Sequence, residues 1–278
     1  MALHELSVGV GLRQVWIGPR DDDGLMTIPA GTVVGTAYAG VQAKYSRALV
    51  ITPSDVQRIV AAGDDRPFHT FLEAPTDVPT GELRTQISDT ALIALITGVT
   101  EFGSDPAKLV PLSTDKLGDE DNLIIWGSRK SVETGSTSFG ARKWETYFLP
   151  NVRAAAFPHP WEISTIGEFR WTLALNMSTV DPWGRTLAVG THGCTEAAWF
   201  LLKTRYQPFF DYFEGDAAET EFQLTKGALV KYNTPLISSI VSCVDGVMTG
   251  VTVDAAGLAT FAGAPADGAH IAIQYEYE

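Results

Sequence analysis

Residues 143–184 read KWETYFLPNVRAAAFPHPWEISTIGEFRWTLALNMSTVDPWG, and the fold class follows from them. Two runs in this stretch alternate with the period of a strand, in which successive side chains face opposite sides. In the first, Trp144, Thr146 and Phe148 fall on one side and Lys143, Glu145 and Tyr147 on the other. In the second, Phe169, Trp171, Leu173, Leu175 and Met177 form an apolar side, while Glu168, Arg170, Thr172, Ala174 and Asn176 form a polar one. A strand that long with one polar face suits a wall, packed on one side and facing water on the other. The expectation is that Lys143, Glu145, Glu168, Arg170, Thr172 and Asn176 line a water-filled space. Asp181-Pro182-Trp183-Gly184 closes the stretch as a turn.

Outward from there, the 278-residue chain reads as all-β. Its 26 glycines and 15 prolines separate short β-branched or aromatic runs. Strands are expected at 6–17, 32–38, 46–52, 81–87 and 123–127. Ser54-Asp-Val-Gln-Arg-Ile-Val-Ala-Ala62 has the look of a short capped helix stopped by Gly63. Residues 88–97 predict a second helix, with Leu92, Ile93, Leu95 and Ile96 as an apolar stripe that must lie on a sheet. Residues 64–87 and 100–142 predict long loops, longer than folding needs. Seven aromatics crowd 199–213, most simply as core and otherwise as a binding cleft.

Glu214-Gly215-Asp216 reads as a boundary. Residues 1–213 are then one domain, expected to fold alone, and residues 214–278 a small Ig-like β-sandwich of short, evenly spaced strands. Asp245-Gly246 is a hairpin signal within it. The appendage holds nine acids against Lys226 and Lys231, much of the chain's net charge of −13. Such an acidic unit suits an exterior position and keeps an assembly soluble.

The charge argues against phosphate-backbone binding as the main task. Cys194 and Cys243 read as free thiols. The N-terminal MALHELSVGV has no signal-peptide pattern, and no apolar run approaches a membrane span, so a soluble, cytoplasmically made protein is expected. His4, His69, His159, His192 and His270 make no metal spacing, and nucleotide and hydrolase motifs are absent. Glu145 and Glu168 are the one carboxylate pair worth weighing as a glycosidase site, and they equally suit a polar sheet face. No enzyme, cofactor or metal is expected.

The segments GELRTQISDTALIALITG, KWETYFLP, GEFRWTLALN and STVDPWG together resemble the major tail tube proteins of long-tailed bacteriophages. The resemblance covers roughly residues 1–213, and a C-terminal β appendage also occurs in that family. It implies a sandwich or barrel tube domain with one flanking helix. It implies homohexameric rings stacked into a virion tail tube, with double-stranded DNA passing through. Tail tip, tape measure and tail terminator proteins would be its partners, without a membrane. The loop carrying Thr114, Asp115, Lys116, Asp119, Glu120 and Asp121 would be the arm between rings. The other readings are a virion-surface binding module, such as a capsid decoration or host-attachment protein, and, behind it, a carbohydrate-active enzyme.

Overall fold

The computed structural model describes residues 8–44, 46–53, 58–63, 66–72, 78–85, 90–98, 102–104, 107–109, 122–132, 144–156, 169–226, 240–254 and 256–277. The fold is all-β, with two short helices among these residues. The first strands are β1 (Val8–Pro19), β2 (Val41–Gln42), β3 (Ser46–Thr52), β4 (Arg58–Gly63), β5 (Arg66–Leu72) and β6 (Thr80–Thr85). After helix α1 (Thr90–Thr97) come β7 (Phe102–Ser104), β8 (Ala107–Leu109), β9 (Leu123–Val132), β10 (Trp144–Ala156) and β11 (Phe169–Leu175). Helix α2 (Val189–His192) precedes β12 (Phe200–Thr204), β13 (Gln207–Glu214), β14 (Glu221–Gln223) and β15 (Val241–Val244). The chain closes with β16 (Val247–Met248), β17 (Val251–Val253), β18 (Leu258–Phe261) and β19 (His270–Tyr277).

The main sheet runs β2-β1-β9-β10-β11-β6-β3, with β12 also pairing with β10. Its ladders are antiparallel throughout. The sheet curls until β3 packs back against β1. Gly127 sits in that fold: a Cβ there would lie 3.2 Å from Val15 Cγ2 and 3.3 Å from Leu49 Cδ2. Inside the curl, Val15, Ile17, Leu83, Ile125, Leu149, Val152, Trp171, Leu173 and Leu175 form one core with Leu92, Ile93 and Ile96 of α1. The helix thus lies on the sheet as its stripe requires. Its expected cap, Ser88 or Asp89, lies outside the described residues.

Two sheets stand beside this one, β13-β19-β15-β16 and β14-β18-β17. Phe213 and Phe222 meet edge to face at 5.3 Å, and Phe222 and Phe261 at 5.6 Å, so the two sheets share an interior. Asp245 and Gly246 both take positive φ, 48° and 72°, as a two-residue hairpin turn requires.

The boundary at 213/214 does not hold. β13 pairs with β19 along its whole length, from Gln207 opposite Tyr277 to Glu214 opposite His270. The C-terminal strand set therefore begins at Gln207. The aromatics of β13 are core, not cleft: Phe209, Phe210, Tyr212 and Phe213 are all buried. They share one cluster with Ile124, Trp126 and Phe148 of the main sheet. The connection after β1 is woven in as well, since Tyr38 and Tyr212 exchange two backbone hydrogen bonds of 2.9 Å. Gln14 of β1 donates to the Pro208 carbonyl at 3.1 Å and accepts from the Tyr277 hydroxyl at 3.2 Å.

Three smaller expectations also change. The helix expected at 54–62 is replaced, over Arg58–Gly63, by a strand hairpinned to β5. β5 occupies part of the loop expected at 64–87, and β7 and β8 fall in the one expected at 100–142, while β6 and β9 are the strands expected at 81–87 and 123–127, the latter running on to Val132. Residues 32–38 form only isolated bridges, at Thr36 and Tyr38. Both cysteines are free, Cys243 buried and Cys194 half-buried. Among the described residues, no helix is long and apolar enough to cross a membrane.

A chain ending at Phe213 is expected to fail to fold cooperatively. It strips β19 from β13 and uncovers Trp126 and Phe210, surface worth about 1.5–3 kcal/mol per large side chain. Thermal unfolding by circular dichroism checks this; a sharp transition near that of the full chain would restore two independent domains.

Candidate interaction surface

The main sheet has two unlike outer regions. Over β1, β9 and the first half of β10, the face turned away from α1 is covered by β13 and its neighbours, and Trp16, Ile124, Trp126 and Phe148 are packed there. Over the second half of β10, β11 and β6, that same face is open. Arg153, Arg170 and Thr172 are exposed, and Glu82 and Arg84 are half-buried. Register sets their neighbours: Arg170 lies opposite Arg84, Thr172 opposite Glu82, and Arg153 opposite Ala174. Glu82 accepts a hydrogen bond from the Arg84 guanidinium within β6. Exposed Val50 of β3 borders Glu82.

The second expected strand therefore behaves as its alternation requires. Trp171, Leu173 and Leu175 are buried while Arg170 and Thr172 face out. The pattern stops at Leu175, so Asn176 just beyond it is half-buried, its N–H donating to the Asn151 carbonyl at 2.9 Å, and Met177 is 53% exposed instead of packed. Glu168 and Lys143 lie outside the described residues, as do Thr114, Asp115, Lys116, Asp119, Glu120 and Asp121.

Glu145 departs from its expected place. Its side chain is on the α1 side of the sheet, in line with Tyr147 and Leu149, and is only 3% exposed. A register shift between Leu149 and Val152 changes the face on which β10 continues. Glu145 and Arg170 thus lie on opposite faces. Burial of the carboxylate is met by two cross-strand cations. Arg129 Nε and Nη2 donate to Oε2 at 2.9 and 2.7 Å, and Lys203 Nζ lies 3.5 Å from Oε1. The group is held as an ion pair at the end of a core.

A second buried acid was not legible. Asp211 is wholly buried on β13. It accepts from Thr225 N at 2.8 Å, Thr225 Oγ1 at 2.6 Å and Tyr275 Oη at 2.9 Å. The next residue, Lys226, places its ammonium over three rings: Phe209 at 5.0 Å, Trp16 at 5.7 Å and Tyr277 at 5.8 Å. Burial raises the Asp211 carboxyl to about 6, against the lowering pull of its donors and Lys226. The closing turn is as expected: Asp181 accepts from Trp183 N at 2.9 Å and Arg185 N at 3.0 Å. Among the described residues, no group of three or more His, Cys, Asp or Glu side chains is placed to hold a metal ion.

Compared with known proteins, the chain matches no protein-family model and no curated protein.

Two outcomes follow from the buried acids. Glu145→Ala leaves Arg129 and Lys203 facing each other without their anion, though each keeps about a third of its surface in water. With that screening, a loss of about 2 kcal/mol is expected in urea unfolding, and less for Glu145→Gln. Asp211 works the other way. Its folded carboxyl binds a proton more tightly than an unfolded one, so its effect is to raise stability as pH falls from about 7 to about 4. The gain is about 3 kcal/mol, lost again as pH rises through 6. Asp211→Asn flattens that part of the pH profile; an unchanged difference between pH 5 and pH 7 would refute the assignment.

Proposed function

We propose that this chain is the structural subunit of a bacteriophage tail tube. Copies join into six-membered rings, rings stack, and double-stranded DNA passes along the bore into the host cell. One observation carries the reading: a long, curled antiparallel sheet whose dry face is closed by α1, while its other face stays polar and open over β10, β11 and β6. A closed ring of such sheets turns the open face into a wetted wall and removes exposed edges. In the order of the sheet, β3 stands at one end with a single ladder, to β6. It is the natural seam between neighbours. The hairpins β4–β5 and β7–β8 form ladders of their own outside the larger sheets. They fall in or beside the two segments expected as long loops, and in this reading they bridge successive rings. The acidic C-terminal sheets lie on the outside of the tube. The chemistry is mechanical, not catalytic, and the partners are other copies together with tail tip, tape measure and tail terminator proteins.

Negative-stain microscopy of the purified full chain tests this directly. Tubes of even bore built from stacked rings are expected as concentration rises or when tail tips are added. Arg170→Glu leaves the chain folded, because the side chain is exposed. Single molecules or small closed oligomers at every concentration, with or without tips, would overturn the reading in favour of a virion-surface binding module.

A further inference from the structure

We infer that successive copies of this chain meet head to tail, exposed cations at one end of the strands against exposed acids at the other end of the next copy. In the tail-tube reading, on which this rests, the contact stacks one ring on the next alongside the hairpins. The cations are Arg13, Lys44, Lys130 and Arg205, all exposed. They stand on strand ends that finish together. Arg13 lies in the irregular stretch between Leu12 and Gln14, which pair with Arg129 and Ser128. Lys44 follows Ala43, whose N–H donates to the Val15 carbonyl at 2.9 Å. Lys130 lies opposite Val10 on one side and Trp144 on the other. Arg205 follows Thr204, which lies opposite Trp144 in turn. Arg129 and Lys203, at the same end, are committed to buried Glu145 and take no part. Among the described residues the other acid here is Glu276, whose carboxylate accepts from Tyr206 N at 2.9 Å.

The opposite ends of the same strands carry the opposite sign. β1 runs out at Pro19 into the turn that holds Asp22 and Asp23, both exposed. β13 ends at exposed Glu214, opposite His270. Asp245 accepts from His270 N at 2.7 Å, and His270 Nδ1 lies 3.7 Å from Asp21 Oδ2, so the hairpin turn and the aspartate turn are neighbours. The arginines described at this end are engaged or withdrawn, Arg185 bonded to Asp181 and Arg20 half-buried. β9 spans the two ends from Lys130 to Leu123, roughly 23 Å at ordinary strand rise. Screening acts beyond about 8 Å at physiological salt, so neither end neutralises the other within one copy. In a second copy each end finds its complement at contact distance. Head-to-head and tail-to-tail contacts set like charges together, which fixes polarity as well as attraction. The two surfaces differ, so the contact repeats along a line, as stacked rings need. Whole copies, at −13 each, repel at long range. The contact is therefore strongest near physiological salt, where that repulsion is screened and the touching pairs are not.

Sedimentation velocity of the purified full chain near physiological salt is the test. The parent associates as concentration rises, and association weakens about tenfold or more in about 1 M salt, where screening reaches about 3 Å. Lys44→Glu with Lys130→Glu makes both ends acidic. Asp22→Lys with Glu214→Lys makes both ends basic. Each double variant alone associates about tenfold or more weakly than the parent, with the parent's circular dichroism. Mixed in equal amounts, the two associate again, because an acidic end once more meets a basic one. A parent that stays single at every concentration overturns the contact. So does either folded variant that associates like the parent, or a mixture of folded variants that stays apart. Should a reversal fail to fold, the neutral pairs Lys44→Gln with Lys130→Gln, and Asp22→Asn with Glu214→Gln, take its place. Each must weaken association by about threefold or more, or the contact fails. Microscopy of the same samples separates the two ideas. Tubes from either double variant alone defeat the contact and leave the tail-tube reading. Salt-sensitive chains of copies without rings keep the contact and defeat that reading.

Discussion

Trp126 has no exposed surface, and the architecture follows from what it takes to bury it. It sits on β9 in the run Leu123-Ile124-Ile125-Trp126, every member of which is buried. Successive strand residues face opposite sides, so such a run needs a cover on both faces. Leu123 and Ile125 turn to α1 and the inside of the curl. Ile124 and Trp126 turn outward, where neighbours on the same sheet flank them but cannot cover them from above. Phe209 and Phe210 of β13 supply that cover, each with its ring 5.3 Å from the indole. Trp16 stacks on the indole from β1 at 6.0 Å. The C-terminal sheets are the second cover of the main sheet and cannot be an optional attachment.

The same constraint explains why polar residues of similar spacing end in different places. β10 is long enough to pass from the covered region to the open one. Its first half runs between two cores, so Glu145 is buried and draws in Arg129 and Lys203. Its second half, after the register shift, has a core on one side only, and Arg153 points to water. β11 pairs with that second half alone, from Val152 opposite Leu175 to Ala156 opposite Trp171. Arg170 and Thr172 are exposed because β11 lies beyond the reach of the C-terminal cover. A hydrogen-bond ladder, not side-chain polarity, decides which carboxylate or guanidinium meets solvent.

This is also the measure of what could be read in advance. β11 was legible because one face was to be dry and the other wet, which is the condition that alternation encodes. α1 was legible for the same reason, an apolar stripe of Leu92, Ile93, Leu95 and Ile96 on an eight-residue helix with Gly98 after it. β10 shows alternation too, but its polar positions are covered from within the molecule by strands more than 50 residues away. No local pattern carries that information. The segment around β4 combines a capping serine with β-branched Ile59 and Val60, and pairing with β5 outweighed the weak helical preference. The boundary at Glu214 was a true turn in polarity but a false joint, since the aromatics of β13 belong to the strands that follow it. Asp211 gave no signal at all. Its partners, Thr225 and Tyr275, are 14 and 64 residues away, and its neighbours in sequence are four aromatics and a proline.

Covering half of one sheet face has a further consequence for charge. The strands that form the cover bring with them acids that stay at the surface, among them Glu214, Glu221, Asp245, Asp254 and Asp267. The half left open carries Arg84, Arg153 and Arg170. Along the ladder Arg170 lies opposite Arg84 and Thr172 opposite Glu82, so register decides which charged side chains share the open half. The net charge of a chain therefore does not say which side chains a given face presents, and the face has to be read strand by strand.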